Sequence, residues 1–244
     1  MRLQGGAASV SKPLVEIGGR PIVWHVMKWY RQFGCREFVL CLGYLGGTIK
    51  EHFIQYEPWR HDNVTVQVDA GGTRVEALAP ADDWNLSLVD TGEETPTGGR
   101  LLRARDWIDD DLFLVNYSDG LSDLDLNALV EFHRGHGKIA TLTAVRPRSQ
   151  FGVIELQADR VLTFHEKPRT EDWINGGFFV FSRRIFDFLE PTANLEADTL
   201  PRLAAAGELM AFQHSGRWEC MDTYKDTAHL HQLWQSGEAF WKVW

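Results

Sequence analysis

The sequence predicts an α/β fold: a mixed, mostly parallel sheet flanked by helices, followed by a smaller α+β lobe. Three observations carry this. Helical and strand-length apolar patterns alternate through residues 21–145. Near Phe151 the rhythm changes, and strand-like pieces then follow one another. Asp90 closes the apolar run LSLV, and Asp119 follows LFLVNY closely. Open α/β sheets hold ligands at such places, beyond the carboxyl ends of strands.

The elements read in order as follows. Residues 21–33 (PIVWHVMKWYRQF) have amphipathic helical spacing, with proline in the first turn. Residues 36–42 form an apolar run of strand length, Gly43 opens a turn, and residues 48–56 read as a helix. Residues 64–68 alternate apolar and polar, as a half-buried strand does. Strands at 86–90, 112–117 and 139–145 alternate with helices at 99–107 and 124–136. Gly98 and Gly99 stand where that first helix opens, and backbone N–H groups at a helix start favour an anion or acceptor edge. Beyond Phe151 come strands at 152–156, 161–165 and 177–181, then a helical stretch at 196–206. A short β pair between 208–214 and 217–220 is expected next, and residues 223–236 form a last helix. The expected division is a core at 1–150 and a lobe with the C-terminal helix at 151–244, packed as one compact unit.

Composition narrows the function. The 244 residues suffice for a substantial core. A formal net charge of -9 repels a polyphosphate backbone, so nucleic acid is not an expected partner, whereas a small phosphorylated substrate is compatible. No apolar run is long enough to span a bilayer, and the opening MRLQGGAASVSKP has no signal core, so no membrane partner and a cytoplasmic location are expected. The 3 cysteines lack CxxC spacing and read as reduced, packed thiols. His229 and His231 lie close together without a zinc-like framework. The tail tryptophans Trp234, Trp241 and Trp244 point to burial against another part of the fold or another subunit, and a homo-oligomer is expected.

Taken together, the motifs carry a resemblance. Lys12-Pro-Leu-Val-Glu-Ile-Gly-Gly19, Leu88-Val-Asp-Thr-Gly-Glu93, Thr97-Gly-Gly-Arg-Leu101 and Tyr117-Ser-Asp-Gly120 occur in order, followed by Phe164-His-Glu-Lys-Pro168, Ile174-Asn-Gly-Gly-Phe-Phe-Val180 and Met221-Asp-Thr223. This series, with the WKVW ending, resembles the sugar-1-phosphate nucleotidyltransferases over nearly the whole chain. The VDTGE and TGGRL pair is similar to their glucose-1-phosphate cytidylyltransferase branch. The resemblance implies a Rossmann-like sheet of the nucleotide-diphospho-sugar transferase type with a sugar-binding lobe. It also implies Mg²⁺-dependent transfer from CTP to glucose 1-phosphate, giving CDP-glucose and pyrophosphate. A uridylyl or thymidylyl transferase is the rival within the class, and a homologue that binds without turnover is the rival outside it.

Site residues follow from the same resemblance. Asp119 and Asp222 match the magnesium-binding carboxylates, and hard oxygens with retained waters suit Mg²⁺. Taken alone, Asp222 also suits a helix N-cap before residues 223–236. Lys12 matches a lysine on the nucleotide phosphates, and Lys167 one on the sugar phosphate. Arg2, Thr91, Gly92, Gly98, Gly99 and Arg100 fall on the nucleotide side. Gly152, Glu166, Asn175, Gly176 and Gly177 fall on the sugar side. Ser118 stands where the family has glycine. Family members also carry a hydrophobic strand and a glycine-rich loop ahead of the position where Met1-Arg2-Leu3 falls. The expectation is therefore a gap in the sheet, or another segment filling it, and a weak catalyst that still binds glucose 1-phosphate through Glu166, Lys167 and Asn175.

Overall fold

The computed structural model describes residues 11–55, 64–77, 82–149 and 151–244. In chain order its elements are β1 (Glu16–Ile17), β2 (Arg20–Pro21), α1 (Ile22–Gln32), β3 (Glu37–Leu42), α2 (Gly46–Ile54), β4 (Val64–Asp69), β5 (Gly72–Ala77) and β6 (Asn85–Asp90). They continue with α3 (Thr97–Arg103), β7 (Leu112–Asn116), β8 (Gly120–Ser122), α4 (Leu126–His136), β9 (Ala140–Val145), β10 (Val153–Gln157) and β11 (Arg160–His165). The last are β12 (Ile174–Ser182), α5 (Leu200–Ala205), β13 (Leu209–His214), β14 (Trp218–Cys220) and α6 (Tyr224–Gln235).

Local chemistry sets the helix boundaries. Pro21 is the N-cap of α1, with its φ of -55° already near the helical value. Asp125 caps α4 by accepting the N–H groups of Asn127 and Ala128, and Gly137, at φ 64°, ends the helix in a left-handed turn. Thr223 caps α6 in a reciprocal box with Asp226.

Four strands form the central sheet in the order β13-β9-β12-β7. β12 sits inside it because its FFVF run is apolar on both faces, with Phe178, Phe179, Val180 and Phe181 all buried. It runs antiparallel to β7 and to β9, while β13 lies parallel to β9. The sheet draws strands from both sides of residue 150, so that position marks no break in it. β3 and β6 form a separate parallel pair in register from Glu37↔Asn85 to Leu42↔Asp90. Among the described residues no ladder joins this pair to the four-stranded sheet.

The β pair expected between 208–214 and 217–220 does not form. β13 goes to β9, and β14 pairs instead with β8. Asp123 explains the turn. Its Oδ1 accepts the Arg217 N–H at 2.8 Å and lies 2.9 Å from His214 Nε2, drawing the chain after β13 onto β8.

The tail tryptophans pack against the chain's own α1, Trp241 buried and Trp234 and Trp244 partly buried. Trp241 is fully buried and donates Nε1–H to His25 Nδ1 at 3.3 Å. The rings of Trp234 and His25 meet edge to face at 4.8 Å. By contrast, the β10–β11 hairpin is exposed along both strands. No helix among the described residues is long and apolar enough to cross a membrane.

Candidate active site

β8 and β14 pair antiparallel, with Gly120 opposite Cys220 and Ser122 opposite Trp218. One step beyond the ladder, the Met221 N–H donates to the Asp119 carbonyl at 3.0 Å. Two residues 103 positions apart are thereby set side by side, Asp119 before β8 and Asp222 after β14. Because Thr223 is the N-cap of α6, the Asp222 carboxylate is not consumed in capping.

Lys12 lies between the two acids. Its Nζ is 2.5 Å from Asp119 Oδ2 and 2.7 Å from Asp222 Oδ1. Burial opposes the lysine's charge, but the hydrogen bonds and charges of Asp119 and Asp222 outweigh it and hold its pKa above the ordinary value. The bond from Lys12 likewise lowers the pKa of Asp222, against partial burial and with help from the Cys220 thiol. Cys220 Sγ donates to Asp222 Oδ2 at 3.2 Å, and burial first, then Asp222, pushes the thiol up to about 12. It is a neutral donor.

Asp119, Asp222 and Cys220 border an open cavity of about 230 Å³, whose walls include Tyr117, Asn175, Gly176 and Trp218. Trp218 donates Nε1–H to the Gly176 carbonyl at 2.8 Å. Asn175 Oδ1 accepts the Gly177 N–H at 2.9 Å. Gly177 has φ +76°, and a Cβ there would lie 2.5 Å from the Tyr117 ring, so close approach as well as backbone conformation requires glycine.

The other three sugar-side residues sit together at the exposed hairpin and do not line this cavity. A Cβ on Gly152 would meet the Phe164 ring at 2.5 Å and Glu166 Oε2 at 3.3 Å. Lys167 Nζ is 3.4 Å from Glu166 Oε1, and both side chains are largely in solvent.

The nucleotide-side residues gather at the carboxyl ends of β3 and β6. Thr91 is fully buried, and its N–H and hydroxyl both donate to the Leu42 carbonyl, at 2.9 and 2.8 Å. Arg100 donates to Leu42 O at 3.0 Å, Thr91 Oγ1 at 2.8 Å and Glu93 O at 2.8 Å. Gly98 and Gly99 admit a neighbouring backbone: added Cβ atoms would lie 2.7 Å from Ala193 O and 2.2 Å from Pro191 O. The Gly99 N–H is already donated to Ala193 O at 3.1 Å. These residues therefore brace the ends of β3 and β6, with several of their polar groups engaged inside the protein. Gly92, at φ +87°, donates its N–H to Asp90 Oδ1. Arg2 lies outside the described residues.

Tyr117, Trp218, Cys220 and Arg103 were not singled out by their sequence positions. Tyr117 opens the Asp119 motif, and Cys220 and Trp218 lie just before the Asp222 motif, and that proximity is the available signal. Arg103 lies one helical turn after Gly99, and its Nη1 reaches the Thr91 carbonyl at 2.7 Å.

A family model described as Nucleotidyl transferase matches residues 1–237. The chain belongs to this family. This nucleotidyltransferase is 45% identical over 236 residues to the glucose-1-phosphate cytidylyltransferase of Salmonella typhi, covering 96% of this chain and 91% of that one. It is 41% identical over 237 residues to the probable glucose-1-phosphate cytidylyltransferase of Bacillus subtilis, covering 96% and 92%. Its fold matches HddC from Yersinia pseudotuberculosis, solved with GMP-PN, at a TM-score of 0.68 and 21% identity, covering 96% of this chain and 94% of that one. It also matches an apo UDP-glucose pyrophosphorylase at 0.65 and 15%, covering 94% and 92%. The structural likenesses bear out the expected fold, and the sequence relatives bear out the expected branch of the nucleotidyltransferases.

Proposed function

We propose that this chain transfers a cytidylyl group from CTP to glucose 1-phosphate. A phosphate oxygen of the sugar phosphate forms a bond to the α-phosphorus of CTP. The bond from that phosphorus to the bridging oxygen breaks, and pyrophosphate leaves. The second pKa of a phosphate monoester is about 6, so the nucleophile is ionised at neutral pH and needs no general base. What the reaction requires is positioning and positive charge. The convergence of Lys12 on Asp119 and Asp222, the two acids that line the Asn175–Gly176 cavity, carries this reading.

Asp119 and Asp222 fit a hard divalent cation, because their oxygens already hold one cationic group, the Lys12 ammonium, at 2.5 and 2.7 Å. In this reading the two carboxylates hold Mg²⁺, which supplies charge neutralisation on the phosphates when bound. Lys12 then contacts the nucleotide phosphates and Lys167 the sugar phosphate. Asn175, Gly176 and Gly177 form the near wall for the hexose, and Gly152 and Glu166 approach it from the hairpin. Arg100 holds the ends of β3 and β6 in place under the base, beside Thr91 and Gly92, and Arg2 completes the nucleotide side.

Two further parts belong to this proposal. A homo-oligomer is supported by the exposed Ile154, Leu156, Leu162 and Phe164 of the hairpin, since isolated two-stranded ribbons are marginal in water. Light scattering after gel filtration tests it, and a monomer at all concentrations would dismiss it. A cytoplasmic location is supported by the free thiols Cys35, Cys41 and Cys220.

The deciding experiment is pyrophosphate release with Mg²⁺, glucose 1-phosphate and each of the four ribonucleoside triphosphates and dTTP. CTP is expected to be preferred. Preference for UTP or dTTP would reassign the base, and no release with any would leave a binding protein.

A further inference from the structure

Glu196 lies outside every motif that identifies the site, yet its two carboxylate oxygens connect the two halves of it. Its backbone is fixed first. Asn194 Oδ1 accepts the N–H of Glu196 at 2.9 Å and that of Ala197 at 2.8 Å, capping the helical turn Leu195–Thr199. The side chain is then held at both ends. Oε2 accepts the Thr97 hydroxyl at 2.7 Å, and Oε1 accepts the Tyr117 hydroxyl. Thr97 is held from a second direction, because its Oγ1 accepts the Leu195 N–H at 2.9 Å. These residues come from three separate parts of the chain, 99 and 79 positions from Glu196.

Each partner belongs to a different half-site. Thr97 is the first residue of α3, the helix that carries Arg100 to the ends of β3 and β6. Tyr117 borders the cavity beside Asp119, packs its ring against Gly177 and places its hydroxyl 3.5 Å from Asn175 Nδ2. One carboxylate thus fixes a hydroxyl on the nucleotide side and a hydroxyl on the sugar side.

We infer that Glu196 is a positioning residue that couples the two substrate half-sites, so that filling one prearranges the other. The inference rests on the assignment of those half-sites to CTP and glucose 1-phosphate. A carboxylate suits this role because it accepts on both oxygens at once. A glutamine at the same place offers one acceptor and one amide nitrogen, so it can keep only one of the two hydroxyls as donor.

The test is equilibrium binding with a ligand pair that cannot react: glucose 1-phosphate and the α,β-methylene analogue of CTP, whose α–β bridge does not break. Calorimetry measures each ligand alone and then glucose 1-phosphate against protein saturated with the analogue. In the wild type the second ligand is expected to bind about 5- to 20-fold more tightly than it does alone, within the usual range of coupling between sites. Glu196→Gln and Thr97→Val should each keep the single-ligand affinities within roughly threefold and reduce the coupling to about twofold or less. If Glu196→Gln does not fold, as judged by circular dichroism, the near-isosteric Thr97→Val still decides. Wild-type binding without coupling, or coupling unchanged in Thr97→Val, overturns the inference. Failure of the wild type to bind either ligand would instead overturn the half-site assignment, and the inference with it.

Discussion

Lys12 Nζ lies 2.7 Å from Asp222 Oδ1, although the two residues stand 210 positions apart. With Asp119 at 2.5 Å on the other side, the ammonium stands where a divalent cation would bridge the two carboxylates. Removing it leaves two like charges facing each other and no resident competitor. Lys12→Met should therefore bind Mn²⁺ more tightly in the absence of nucleotide, by roughly threefold or more, while turnover falls steeply. Mn²⁺ titration by electron paramagnetic resonance reads the first effect. An unchanged or weaker Mn²⁺ affinity would show that Lys12 does not compete for that place.

Arg100 is a brace between strands. It joins the Leu42 carbonyl at the end of β3 to Thr91 and Glu93 just beyond β6. Arg100→Ala removes these charge-assisted bonds and should raise KM for CTP about tenfold or more while leaving KM for glucose 1-phosphate nearly unchanged. Steady-state kinetics with each substrate varied in turn separates the two. Equal effects on both constants would argue for a general loss of structure.

Gly18 is a stability position. Its φ is +61°, and a Cβ would sit 2.1 Å from the Trp234 indole. Gly18→Ala adds backbone strain to an overpacked contact, so destabilisation of about 2–5 kcal/mol is expected. Urea midpoints measure it, and a variant as stable as the parent would contradict the packing described here.

His25 ties stability to pH. Both its ring nitrogens are engaged: Nε2 with the Ile17 carbonyl at 2.8 Å, and Nδ1 as acceptor from Trp241. Burial lowers its pKa from 6.5 to about 4. The neutral ring's contribution is then fully present above pH 6.5 and is lost as pH falls from there toward 4, because only the unfolded chain takes up the proton in that window. The loss can reach roughly 3 kcal/mol. The stability difference between wild type and His25→Gln should shrink across the same window. A difference constant from pH 7 to pH 4 would show that His25 does not carry it.

Much of this fold was legible because local and long-range demands agree. The helix at 22–32, the helix at 126–136 and the strands β3 and β6 all follow from the apolar spacing of their residues. The partner of β14 was not legible, since the choice between β13 and β8 turns on Asp123, more than ninety positions away. In the site, Asp119, Asp222 and Lys12 were found through their motifs. Gly98 and Gly99 were expected to serve the nucleotide, and their dominant contact is with the backbone at Pro191 and Ala193. A close backbone approach and a ligand approach call for the same residue, so sequence alone does not separate them. Glu196 and Trp218 act through partners that only the folded chain supplies.

The short ladder between β8 and β14 also sets which changes of length this chain can absorb. Adding a residue at the β10–β11 turn, near Ala158 and Asp159, lengthens a solvent-facing hairpin and leaves the two acids where they are. Removing one residue between Trp218 and Asp222 reverses the alternation of side chains along that stretch and turns the second acid to the opposite face. The exposed β10–β11 turn between the acids is free to vary in length, while the four residues from Trp218 to Met221 that lead into the second acid are not.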